Sequence, residues 1–239
     1  MHLEKLFFST SWLTLAGTAI AGLAMFWPVP LERMDVGASM SVDYYSPLAN
    51  GGSMLIDAGW GFGEPLNVII SGLSSAQVLT DEGFVNYARA IGFSKECLGI
   101  HLGDPMPANL GDGNGWVNQT IELRQHYGNI VFGTCWESLV GGNHFRMYRQ
   151  NGSQAPSGAL FLAVSKEENV TAHHMIVADG YNIGRDDLGI RAAGTTSFLG
   201  VKYRTVARNV SGLLAPGSKG VNHGIATDGI TTVLTVTIV

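Results

Sequence analysis

Charge is scarce in this chain. Charged residues make up 14% of the 239, where a soluble domain ordinarily carries roughly a quarter. The 14 Lys and Arg are scattered and the formal net charge is -5, so no basic stripe exists for nucleic acid. Cysteine is scarcer still. Cys97 and Cys135 are the two, and they form no CxxC and no zinc-type spacing, which argues against a structural zinc site. Two readings of the pair stay open, one disulfide in an oxidising compartment or two buried thiols. Also lacking are an internal repeat, a low-complexity segment, a GxSxG elbow and an HExxH pair. Cys135 has no basic neighbour in sequence to activate it, so it is not read as a nucleophile.

What is present is apolar. Hydrophobic residues make up 46%, enough to bury a sizeable core and too many for disorder. The 32 glycines imply many tight turns between short strands. From Leu6 to Leu31 no residue is charged. The stretch up to Trp27 is long enough for a membrane-crossing helix, with Trp12 and the Phe26-Trp27 pair at interfaces and Pro28 and Pro30 as a stop. We read residues 1–31 as an uncleaved signal-anchor. A cleaved signal peptide, using Ala19-Ile20-Ala21, is the alternative, and a buried core helix is the plain one. Four N-x-[ST] sequons, at Asn118, Asn151, Asn169 and Asn209, all follow this segment. They favour a lumenal or extracellular body that carries glycan, or a secreted protein.

Residues 32–65 read as a linker leading into the fold, and 66–239 as one α+β domain with a mixed or largely antiparallel sheet and a few helices. Strands are expected at 66–72, 97–103, 144–150, 159–165, 201–210 and 230–238, and another opening the run 129–139. A helix capped by Thr80 or Asp81 is expected from about 82 to 91, and another from Arg185 to about Ala193. Residues 116–127 fit either type, and 104–115 reads as a loop. The apolar strand at the C-terminus would support self-association if it lay at a sheet edge.

One segment carries unusual polarity. In GGNHFRMYRQNG (141–152), His144, Arg146 and Tyr148 share one strand face, and Phe145 and Met147 share the other. Arginine offers a planar fork to an anion, and histidine exchanges protons near neutral pH. Downstream, TAHHMIVADGYNIGRDD (171–187) supplies His173, His174, Asp179, Arg185 and Asp186. On a strand the two adjacent histidines would face opposite ways, so one would join a given site. A metal held by one of them with Asp179 and a second histidine is weakly signalled. Glu137 is a candidate carboxylate partner. Against these stand plainer readings: an exposed strand face, helix capping and a local salt bridge.

The order of GGNHFRMYRQNG, ALFLAVSKE and HHMIVADGYNIGRD resembles the LssY C-terminal domain family over about residues 66–187. The resemblance implies that His144, Arg146, His173, His174, Asp179, Arg185 and Asp186 occupy signature positions, with Tyr148 where that family usually has tryptophan. The chain is also similar to uncharacterised secretory-pathway proteins of basidiomycete fungi. Neither group implies an activity; the first implies a membrane or envelope context. The residues themselves suggest a His/Arg/Asp cleft of a hydrolase acting on a phosphorylated or other anionic small molecule. The competing expectation is a non-catalytic binding or structural glycoprotein in which the cluster is a polar network.

Overall fold

The computed structural model describes residues 41–100 and 104–239. The proposed N-terminal helix and His101 lie outside them. Among the described residues no helix is long and apolar enough to cross a membrane.

Among the described residues ten strands and three α-helices follow one another. They are β1 (Leu66–Ile70), α1 (Asp81–Ala90), β2 (Phe93–Lys95), β3 (Pro107–Asn109), β4 (Trp116–Asn118), β5 (Ile121–Gln125), α2 (Gly133–Val140), β6 (Gly142–Arg149), β7 (Leu160–Glu167), α3 (Gly180–Ala192), β8 (Gly194–Phe198), β9 (Val201–Ser211) and β10 (Ile230–Ile238). Eight strands form one sheet in the order β2-β5-β6-β7-β1-β10-β9-β8, and β3 and β4 pair separately. Within the large sheet every pairing is antiparallel except β1 with β10. The domain is therefore α+β with a mostly antiparallel sheet, as the strand-rich pattern predicts.

Both faces of the sheet are covered. Phe145, Met147, Leu162, Val164 and Leu234 pack beneath α1 and α3, with Phe84, Tyr87 and Leu188 facing them. On the opposite face Tyr148, Phe161, Ala163 and Val233 meet Ala108 of β3 and Met54, Ile56, Leu110 and Leu214 from irregular segments. So the central strands read as continuous apolar runs, because neither side meets water. The expected linker thus supplies, in its described part, a lid over this second core.

β1 carries the one irregularity of the central ladders. Its register against β7 shifts between Leu66 and Val68, a bulge that leaves Asn67 without a ladder partner. The Asn67 amide replaces it. Its Nδ2 donates to Val164 O and Tyr181 O, and its Oδ1 accepts from Val164 N. A buried side chain thereby ties the sheet centre to the first turn of α3.

Several local expectations need correction. Residues 97–99 form a 3-10 turn and not a strand, with Leu98 and Gly99 at positive φ; the Cys97–Cys135 disulfide fixes that turn against α2. The run from Asn129 opens no strand. The Asn129 side chain accepts from Val131 N and Phe132 N and winds the chain into α2. Gly133 is required there, since a Cβ would stand 1.5 Å from His126 O. Residues 104–115 hold β3 within the loop, and 116–127 resolve into β4 and β5. α3 begins five residues before Arg185. Its glycines hid it, because glycine lowers helix propensity. Gly184 lets the helix approach β7, where a Cβ would meet the Ser165 backbone at 2.8 Å. β10 sits between β1 and β9. It has no free edge, which removes the route to self-association through that strand.

Arg185 fastens α3 to the start of β10. Its side chain is buried and holds Asp228 in a two-bond fork at 2.6 and 2.8 Å, with a third bond to Ile230 O at 3.0 Å. Arg185→Met should lower unfolding stability by about 2–4 kcal/mol, the range for losing a buried charge-assisted network, read as a shift in urea midpoint. A midpoint within about 0.5 kcal/mol of the parent would show that the fork contributes nothing beyond an exposed pair.

Candidate functional site

The polar face of β6 is neither solvent-facing nor free. His144 lies opposite Arg124 on β5 and Ser165 on β7, and Arg146 lies opposite Glu122 and Ala163. Side chains two apart share a face, so Glu122, Arg124, His144, Arg146 and Glu167 all project from one end of one sheet face. Irregular chain and α2 close over them and add Glu64, Glu96 and His174 from the first and Glu137 from the second.

Arg124 is the hub. It reaches Glu167 at 2.8 Å, Glu137 at 3.3 Å, and Glu96 and Glu122 at 3.5 Å. Arg146 pairs with Glu64 at 3.1 Å and Glu122 at 3.3 Å, and its Nη1 lies 3.2 Å from His144 Nε2. A guanidinium N–H can only donate, so His144 Nε2 is the acceptor and the proton of the neutral ring sits on Nδ1. That Nδ1 faces Glu167 Oε1 at 3.2 Å. Glu167 Oε2 also lies 3.6 Å from His174 Nδ1.

Backbone features make room for this packing. Gly142 lies opposite Glu167, and a Cβ there would stand 2.7 Å from the Glu137 side chain. Gly141, at φ 82, ends α2 and turns the chain into β6. The two glycines of GGNHFR are thus the gap through which a buried glutamate enters the cluster. His173 and His174 are not on a strand. Both adopt left-handed φ, 55 and 54, which costs a non-glycine residue about 1–3 kcal/mol and draws attention to the segment. Only His174 turns into the cluster; His173 is exposed.

Five glutamates face two arginines here, and burial settles the surplus. It drives the Glu137 carboxyl up to about 7 and outweighs the Arg124 charge that opposes it. It raises Glu64 in the same way against Arg146. It drives the His144 imidazole down to about 3, so that ring is neutral at physiological pH. For Glu167, burial acts upward, but His144 and Arg124 outweigh it and hold the carboxyl below its ordinary value. Two carboxylates that touch the same guanidinium are thereby pushed apart, one toward the acid and one toward the anion.

The cluster opens on a cleft of about 460 Å³ whose wall includes Arg124, Arg146, Glu167, His174, Cys97 and Ile100. Of the residues singled out in the sequence, His144, Arg146, His174 and Glu137 converge in this cluster. Asp179 stands just before α3 without a side-chain cap and accepts from Asn182 Nδ2, Asp186 is exposed, and Arg185 with Asp186 serves the Asp228 fork. Tyr148 turns away into the second core and donates to Met106 O. Arg124, Glu167, Glu122 and Glu64 were not anticipated. No trio of His, Cys, Asp or Glu among the described residues is placed to hold a metal, so the weakly signalled metal set is not assembled among them. Of the sequon asparagines, Asn118, Asn151 and Asn209 are exposed and Asn169 is half-buried. Comparison of the chain with protein-family models, with curated proteins and with solved structures finds no match.

The shifted groups give opposite pH dependences. Glu137 stands higher folded than its ordinary 4.5, so its contribution is complete below that pH and is lost as pH rises to about 7. His144 stands lower than its ordinary 6.5, so its contribution is complete above that pH and is lost as pH falls toward 3. Replacing Glu137→Gln should therefore move stability in the variant's favour, relative to the parent, as pH rises from about 4.5 to about 7. Paired urea titrations across that range measure the gap; a gap that does not change with pH removes the proton from Glu137.

Proposed function

We propose that the cleft beside Glu167 carries acid–base chemistry of a hydrolytic kind, with His174 exchanging the proton. The observation that supports this most is the setting of His174. Its Nδ1 is buried on the Glu167 side while 34% of the side chain stays exposed at the cleft. A carboxylate facing one ring nitrogen fixes the tautomer and leaves the other nitrogen to act as base. The 3.6 Å separation is longer than a hydrogen bond, as is common before substrate closes a site. In the reaction, His174 takes a proton from water, the water oxygen attacks the scissile centre, and the proton passes to the leaving oxygen. Arg124 and Arg146 face the oxygen on which charge develops.

The charge balance narrows the substrate. Each arginine is already ringed by glutamates and carboxylates outnumber guanidiniums, so the cleft is ill suited to a multiply charged phosphate. An ester, or a diester with a single negative charge, fits better. A second reading has its own support: most of the cluster is buried, and the arginine donors are largely engaged by carboxylates. Under it the protein is a non-catalytic glycoprotein and the cluster holds β5, β6, β7 and α2 together. As part of the same proposal the body is lumenal or extracellular, anchored through residues 1–31 or secreted. The Cys97–Cys135 disulfide supports an oxidising compartment, and the accessible sequons support glycan.

Two measurements test this. Turnover of p-nitrophenyl esters and of bis(p-nitrophenyl) phosphate by the full chain should fall at least about 100-fold in His174→Ala, with the urea midpoint unchanged. Absence of turnover in the parent, or equal turnover in the variant, leaves the structural reading. Treatment of the native protein with an N-glycosidase should raise its gel mobility; unchanged mobility removes the glycan support for a lumenal body.

A further inference from the structure

The surface around the mouth of the cleft inverts the usual rule for a helix. α2 turns its polar residues inward and its apolar ones outward. Thr134 and Glu137 are fully buried, while Trp136 and Leu139 are each 55% exposed. A solvated surface helix does the opposite. The inversion continues beyond the helix. Phe132 precedes it and is exposed; Leu98 and Ile100 stand beside it on the turn fixed by the disulfide; Met175 is exposed next to His174. Residues 128–140 contain one charged residue, Glu137, and it points inward. Clustered exposed apolar surface of this kind marks an interaction face.

We propose that this face docks on a lipid bilayer, with the cleft opening toward the lipid. Three observations select lipid as the occupant. Trp136 and Phe132 flank aliphatic side chains, the composition that seats at a membrane interface. Ile100 and Cys97 belong both to the apolar rim and to the cleft wall, so a ligand lying across them has a polar end at Arg124 and an apolar end outside. The charge-free stretch Leu6–Leu31 would keep the domain at a bilayer surface, and here the inference rests on the membrane-anchor reading. The cleft's ligand is then an amphiphile taken from the bilayer. No basic residue stands in the apolar segment, so docking depends on burial of apolar surface and not on anionic lipid.

The test uses the full chain reconstituted into phosphatidylcholine liposomes. An environment-sensitive fluorophore is attached at Leu139→Cys and, in a second preparation, at Leu199→Cys, an exposed position on the β8–β9 turn. Position 139 should show blue-shifted emission and at least about twofold stronger quenching by nitroxide-labelled lipid than position 199. Adding phosphatidylserine should not increase either effect. Equal water exposure at the two positions overturns docking. Burial at 139 without lipid quenching, deepening with protein concentration, assigns the face to a second copy and also overturns it. Chain that does not float with the vesicles is a third contrary result. Asn169 adjoins this face, so glycan found there by mass spectrometry in the native protein would oppose docking as well. None of these readouts involves turnover, so they can fail while the His174 chemistry stands, and the reverse.

Discussion

Everything at one end of the sheet is arranged around a guanidinium that has little water. Arg124 is 15% exposed and touches four glutamates. A buried cation carries a desolvation cost of several kcal/mol unless its partners are close and their remaining oxygens are satisfied. Those partners come from the ends of β5 and β7, from α2 and from the turn before Cys97. Bringing them together requires a glycine at position 142, a left-handed end to α2 at Gly141, and a clamp on the 97–99 turn. A disulfide closing a separation of 38 residues contributes about 4 kcal/mol on the chain-entropy account. That is comparable to the cost of confining such charges.

The same constraint explains the inside-out helix. Eight residues of α2 present little more than two turns. Once Thr134 and Glu137 are drawn toward Arg124, the helical period leaves Trp136 and Leu139 on the far side. The apolar surface is therefore a geometric consequence of the buried charges, and nothing in the domain's own described residues covers it. A fold that placed Trp136 inward would have to expose Glu137 and leave one Arg124 contact unmet. The polar interior of the cleft and the apolar rim around it have one origin.

How much of this the sequence disclosed depended on period and on pairing. Residues 66–70, 81–90, 142–149, 201–211 and 230–238 carry patterns of β-branched runs, helical spacing or alternation, and each element stands within a few residues of its predicted position. The chain from 93 to 140 was opaque. Its strands are three to five residues long, too short for a period to emerge, and its helix has a reversed amphipathic pattern. That opacity hid Arg124. Had IELRQ been assigned as a strand, Glu122 and Arg124 would have shared a face at the same spacing as His144 and Arg146. Glu167 was equally unmarked, since a glutamate ending an apolar strand resembles any solvated strand end. His144 and Arg146 were legible because histidine and arginine are unusual on a strand face, and His174 because it belongs to a histidine pair; of their carboxylate neighbours Glu137 alone was singled out, because glutamate is common everywhere.

The consecutive left-handed histidines bear on which of the two functional readings is the more economical. A structural network needs Glu167 satisfied, and Arg124 with neutral His144 already does that. His174 adds a third neighbour at 3.6 Å without completing a hydrogen bond, on a left-handed backbone that histidine adopts more readily than most side chains but that still costs more than it would for glycine. A fold selected for stability alone would gain by placing glycine or asparagine at positions 173 and 174, where φ is positive. The strain buys nothing that the ion pairs lack. It does place a titratable ring between an ionised carboxylate and open cleft, which is where proton exchange with a bound molecule would occur.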